Sequence, residues 1–259
     1  MNLNDEQIRD LLNWFNTESE TRKSMSGGRK EALIENSKWI QPDIINTLPD
    51  DELEKKYIEY YNSGGGKQAL NRINRDKIIR NKQKFREMVS YLLDENIDIG
   101  TRLTDVVEGK YHIDGVGKGL ATSFLMDFNP KKYCIWNEKT EKGLSVIGWD
   151  PYSKKDSLGD KYSNILKALY KLRDMAPGLN MELVDIDLLL HTISSENDGI
   201  EAVKRISGVK SLKFGREMEA NTSILLLSNK SQIILYGPPG TGKTYNARII
   251  AVKFIGEVD

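Results

Sequence analysis

The sequence predicts a mainly α-helical chain: a helical N-terminal region, then the first strand, phosphate-binding loop and helix of an α/β domain. Three observations carry this. Apolar residues recur at helical spacing through much of residues 1–194. A glycine-rich turn, Gly115-Val116-Gly117-Lys118-Gly119, interrupts that pattern. Near the C-terminus, an apolar run leads into the spacing Gly237-x4-Gly242-Lys243-Thr244 of a nucleoside-triphosphate P-loop.

The elements follow in chain order. Asn4 to Phe15 places Ile8, Leu11, Leu12 and Phe15 on one helical face, with Asn4 as N-cap. Ser24 to Gly28 reads as a turn. A second helical piece ends at Trp39 to Pro42, and Pro49-Asp-Asp-Glu starts another. Ser63-Gly-Gly-Gly66 is a flexible loop. Asn74 to Leu93 is the longest helical candidate, with Ile78, Phe85, Val89 and Leu92 on one side. Lys161 to Met175 and Glu182 to Thr192 are amphipathic helices. Periodicity fades over Ser194 to Gly208, which places a linker at residues 195–214. The linker would divide a helical domain, residues 1–194, from the opening of a P-loop domain, residues 215–259. Met218 to Leu227 reads as a lead-in helix to the P-loop strand.

Composition narrows the function classes. Hydrophobic residues make up 39% and charged residues 29%, proportions of a folded globular chain rather than a disordered one. No apolar run approaches the roughly 20 residues needed to span a bilayer, and the N-terminus lacks a secretion signal. A single cysteine, Cys134, excludes an internal disulfide. Two histidines (His112, His191) with that cysteine exclude a Cys/His zinc site. The expected location is the cytoplasm, with no membrane partner.

Net charge is zero, yet Lys67 to Arg86 holds eight basic residues against one acid, Asp76. Such a run is either a solvated helix face or a stripe that contacts phosphates. The preceding segment leans acidic through Asp50, Asp51, Glu52, Glu54 and Glu59.

In the P-loop, Gly237, Gly240 and Gly242 free the backbone to approach phosphate oxygens, with Pro238, Pro239 and Thr241 between them. The loop's N–H groups and the following helix dipole form an anion nest. Lys243 would reach the β- and γ-phosphates, and the Thr244 hydroxyl would ligate Mg²⁺ held with the nucleotide. ATP or GTP with Mg²⁺ is therefore the expected cofactor. Hydrolysis also needs an acidic residue on a second strand. Only Glu257 and Asp259 follow the loop, so turnover by this chain alone is not expected and no catalytic residue is assigned.

The segment Ile113-Asp-Gly-Val-Gly-Lys-Gly-Leu-Ala-Thr-Ser-Phe124 resembles the hairpin of helix-hairpin-helix DNA-binding proteins, the whole element spanning about 99–128. In that family the glycines permit a tight turn, and N–H groups at the start of the second helix bind a DNA phosphate. The resemblance implies DNA contacts at Gly115, Val116, Gly117, Lys118 and Gly119. Asn129-Pro-Lys-Lys-Tyr-Cys-Ile-Trp-Asn137, Glu141-Lys-Gly-Leu and Ile147-Gly-Trp149 extend it to the helix-hairpin-helix DNA glycosylases, over about residues 75 to 175. Where those enzymes carry a catalytic Lys and a catalytic Asp, this chain has Gly119 and Asn137. Gly cannot form a Schiff base and Asn cannot supply the carboxylate, so base excision is not expected.

The run Gln232-Ile-Ile-Leu-Tyr-Gly-Pro-Pro-Gly-Thr-Gly-Lys-Thr-Tyr245 resembles the start of the AAA+ domain of McrB-type restriction motors, a resemblance that includes Tyr245 after Gly-Lys-Thr. It implies a nucleotide contact set of 237–245 and a chain cut short just after the P-loop. In full length it further implies a homo-oligomeric ring, a separate nuclease subunit as partner, and duplex DNA, unmodified or modified, as target. An AAA+ remodelling ATPase whose helical N-domain binds protein is the competing expectation, separable by salt-sensitive DNA affinity. Of the remaining residues, His112 reads as a packing or capping residue and His191 as helix-terminal. Trp14, Trp39, Trp136 and Trp149 read mainly as core, one of them being eligible to stack on a base.

Overall fold

Local chemistry sets where each helix begins. In the computed structural model, which describes residues 2–63 and 72–208, Asn4 and Gln7 form a reciprocal capping box at the start of α1 (Asp5–Thr17). Helix α1 buries Ile8, Leu11, Leu12, Trp14 and Phe15, the face its spacing predicts. Ser19 caps α2 (Glu20–Ser37), followed by α3 (Pro42–Thr47) and α4 (Asp50–Asn62). The predicted turn at Ser24 to Gly28 is therefore overturned: these residues lie inside α2. A Cβ on Gly27 or Gly28 would meet nothing within 4 Å, so no turn geometry calls for glycine there.

The long candidate from Asn74 to Leu93 is two helices, α5 (Arg72–Ile79) and α6 (Lys82–Leu93). Asn81 breaks the run, because its side chain accepts from Lys84 N–H and caps the second helix. The central part continues with α7 (Ile99–Val107), α8 (Lys118–Phe128) and α9 (Glu138–Val146). After these come α10 (Leu158–Asp174), a 3₁₀ turn (Pro177–Leu179) and α11 (Leu183–Ser195). Residues 197–206, expected in the linker, form α12 (Asn197–Ile206). Helix α12 packs on α11 and α1, in the compact unit that ends at Ser207. Its Gly199 sits so close to α11 that a Cβ would fall 2.4 Å from Thr192 O. The described residues are mainly helical, with no strand among them. No helix among them is long and apolar enough to cross a membrane.

Two helices, α8 and α11, are buried almost all round, as expected of helices at the centre of a core. An aromatic chain runs Tyr57–Phe85–Phe124–Tyr60–Trp39, with ring centroids 5.0, 6.0, 5.1 and 5.7 Å apart, and joins α4, α6 and α8. Helix α2 differs. It buries no residue fully; Leu33 packs against the cluster of Met126, Ile135 and Val184, and polar pairs tie the helix to α8 and α11: Asn36–Asp127 at 2.9 Å, Arg29–Asp187 at 2.9 Å and Lys30–Asp185 at 3.3 Å.

Candidate nucleic-acid interface

The predicted DNA-contact run 115–119 spans the end of the loop after α7 and the first turn of α8. Val116 N–H donates to Ile113 O (2.9 Å), closing a turn over Ile113–Val116. Gly115 stands at its third position with φ +98°, a conformation that favours glycine. A Cβ there would also come within 3.3 Å of Asn74 Cβ and 3.4 Å of Ile78, so the turn is seated against α5. Val116 is buried and anchors it. Gly117 is the N-cap of α8, with extended backbone and no side-chain cap. The first N–H groups of α8 have no intrahelical acceptor, and glycine offers no oxygen to take them.

Lys118 opens α8 on this surface. Its Nζ lies 2.6 Å from Glu141 Oε1 and 4.2 Å from the centroid of the Trp136 indole. The same carboxylate oxygen accepts from Trp136 Nε1 and from Tyr152 OH, each at 2.8 Å. Burial works to raise the Glu141 carboxyl's pKa, but the hydrogen bonds from Lys118, Tyr152 and Trp136 outweigh it and hold the group below the usual 4.5. Burial and the bond to Glu141 push the Tyr152 hydroxyl up to about 12. Nothing in the sequence marked Glu141 and Tyr152 as partners of Lys118. The elements that bring them together are separated by loops whose path the helical spacing does not encode.

Gly119 is buried in the first turn of α8. Asn137 caps α9, its Oδ1 accepting from Lys139 N–H (2.8 Å) and Thr140 N–H (3.1 Å). Asn137 thus serves as a helix cap. His112 is exposed, 3.8 Å from Asp114, so of the packing or capping roles expected it does not take the packing one. His191 lies near the end of α11, 3.0 Å from Glu196.

The basic stretch splits in two. Lys82 pairs with Glu54 (2.6 Å). Arg86 pairs with Asp50 (2.6 Å) and also donates to Leu48 O. Two cations of the run thus join α6 to α4 rather than facing solvent or phosphate freely. Lys77, Arg80 and Lys84 are exposed and hold no ion pair among the described residues. Lys77 belongs to α5, the helix that the hairpin rests against. Lys67 and the P-loop set 237–245, with Lys243 and Thr244, lie outside the described residues.

No protein-family model, curated protein or solved structure matches this chain.

Proposed function

We propose that the helical unit binds duplex DNA through the hairpin, as the target-recognition portion of an McrB-like restriction NTPase. The observation that carries this is the turn at Ile113–Val116, which leads through a glycine N-cap into Lys118 at the start of α8. Backbone N–H groups at a helix start, with a cation beside them, suit a phosphate oxygen. The exposed Lys77 on α5, with Arg80 just beyond its end, adds cations to the helix that the turn rests against.

On this reading the hairpin grips the backbone of the duplex. The P-loop, 237–245, holds ATP or GTP with Mg²⁺, and in full length a homo-oligomeric ring recruits a separate nuclease subunit. The resemblances of the hairpin and of the P-loop run support that assignment. The test is duplex binding by the full chain at several salt concentrations, with unmodified and methylcytosine-containing probes. A steep salt slope, flattened in Lys118→Glu or Gly117→Pro, supports the reading. Absence of binding to either probe at low salt overturns it and favours a protein-remodelling role.

A further inference from the structure

The loop after α9 and the outer face of α10 enclose an open cleft of about 440 Å³, within the size range of small-molecule sites. One wall is Trp149. The chain turns sharply at Gly148 (φ +84°), and Trp149 N–H is fixed to Leu144 O at 2.9 Å. Pro151 stiffens the same wall. The opposite wall is one stripe of α10: Asn164, Lys167, Ala168 and Lys171 recur at the three- and four-residue spacing of a single helix face.

The composition of this slot is specific. Ala168, half-buried against the core, contributes only a methyl to the lining. Lys171 Nζ lies 4.9 Å from the Trp149 ring centroid, a cation over an aromatic face. Lys167 is exposed on the same stripe, and Asn164 supplies both a hydrogen-bond donor and an acceptor. The one acid in the lining, Asp150, stands on the tryptophan side. A flat π-system suits the ring face, an anion suits the two lysines, and the carboxamide can read polar edges.

We propose that this slot takes one unpaired nucleotide of a DNA strand. Its base would lie against Trp149, displacing the Lys171 ammonium. Lys171 and Lys167 then meet the adjoining phosphate, and Asp150 keeps that phosphate on the α10 side. Aromatic stacking with a lysine-lined path is how sequence-tolerant single-strand sites hold nucleotides. This inference rests on the nucleic-acid reading above but uses none of the hairpin residues.

The test measures binding of the full chain to a short oligo(dT) strand by anisotropy, beside duplex binding and the melting temperature of each variant. Trp149→Ala and Ala168→Leu are each expected to weaken oligo(dT) roughly tenfold or more, with duplex affinity unchanged. Trp149→Phe keeps most of the binding. Ala168→Leu fills the slot from a half-buried position on α10, so its loss of oligo(dT) binding counts for the slot only where duplex affinity and melting temperature hold, and Lys167→Glu, at an exposed position, should weaken oligo(dT) as well. Failure of the wild-type chain to bind oligo(dT), or equal binding by both variants, overturns the slot and leaves the duplex reading standing. Displacement of the strand by an equal nucleotide concentration of thymidine 5′-monophosphate overturns the strand assignment in favour of a free nucleotide.

Discussion

Lys118, the cation of the hairpin, is already engaged by Glu141, Nζ to Oε1 at 2.6 Å, on a carboxylate that Trp136 and Tyr152 also hold in place. On the proposed reading, a DNA phosphate competes with that carboxylate for the ammonium. Both side chains are about one-third exposed (35% and 33%), so the pair is solvent-screened and exchange is feasible. Glu141→Gln removes the competing charge while keeping an oxygen for Trp136 and Tyr152. Its duplex affinity should rise roughly two- to fivefold, as expected for loss of a partly exposed ion pair. Its log K against log salt slope should steepen by about one phosphate contact. Anisotropy at three salt concentrations measures both, and an unchanged slope would disconnect Lys118 from phosphate binding.

Gly115 tests the seat of the turn. Alanine there is strained by φ +98° and pressed against Asn74 and Ile78 of α5. Gly115→Ala should cost about 1–3 kcal/mol in urea unfolding. Duplex affinity should drop further than stability alone explains, because the turn that aims Lys118 shifts. Gly28→Ala is the contrasting case: it lies in α2, and its added Cβ meets nothing within 4 Å. It should stabilise the protein by up to about 1 kcal/mol, the helix-propensity gain over glycine.

Helices α7 and α10 touch through a pair of glycines. A Cβ on Gly159 would fall 2.4 Å from Gly100 O and 2.6 Å from its Cα, all backbone atoms that cannot swing aside. Gly159→Ala must therefore push the helices apart, at about 1–3 kcal/mol for overpacking. The urea midpoint should fall at unchanged slope. Because α10 carries the lysine stripe, Trp149 fluorescence is expected to shift in the same variant.

Much of this architecture is legible in the sequence where one element's own spacing decides it. The face of α1, the cap at Asn4 and the turn at Gly115 all follow from neighbours within a few positions. What escaped depends on partners far along the chain. Ser24 to Gly28 carries the composition of a turn. It is helical within a helix held by Arg29, Lys30 and Asn36, whose acceptors Asp187, Asp185 and Asp127 lie on α11 and α8. Residues 197–206 are a different case: Ala202, Val203 and Ile206 form an apolar stripe legible in the sequence itself, and the structure adds that Asp198 accepts from Ser19 (2.9 Å) and Thr21 (2.8 Å) and that Gly199 fits against α11. The basic run from Lys67 to Arg86 is visible as charge. That Lys82 and Arg86 face Glu54 and Asp50 becomes apparent only once α4 and α6 are packed.

The docking of α2 depends on a buried ion pair. Arg29 reaches Asp187 at 2.9 Å, with side-chain exposures of 17% and 5%. Burial pushes the Asp187 carboxyl above its usual 3.8, opposed by the charges of Arg29 and His191. Arg29→Met keeps the side-chain bulk and leaves that carboxylate buried without its cation, at about 3–5 kcal/mol. A carboxyl raised on folding contributes its stability below the unfolded value of 3.8, and loses it as pH climbs through the folded value. Removing Arg29 raises the folded value further, so protonation relieves the variant more than the wild type. The deficit of Arg29→Met should thus be smaller at about pH 5 than at about pH 7.5. Arg29→Met with Asp187→Leu removes both charges, and should recover most of the loss and erase this difference between the two pH values. Urea unfolding of the three proteins at both pH values gives the comparison. A double variant as unstable as the single one would mean that the polar pair itself, rather than the uncompensated carboxylate, holds α2 in place.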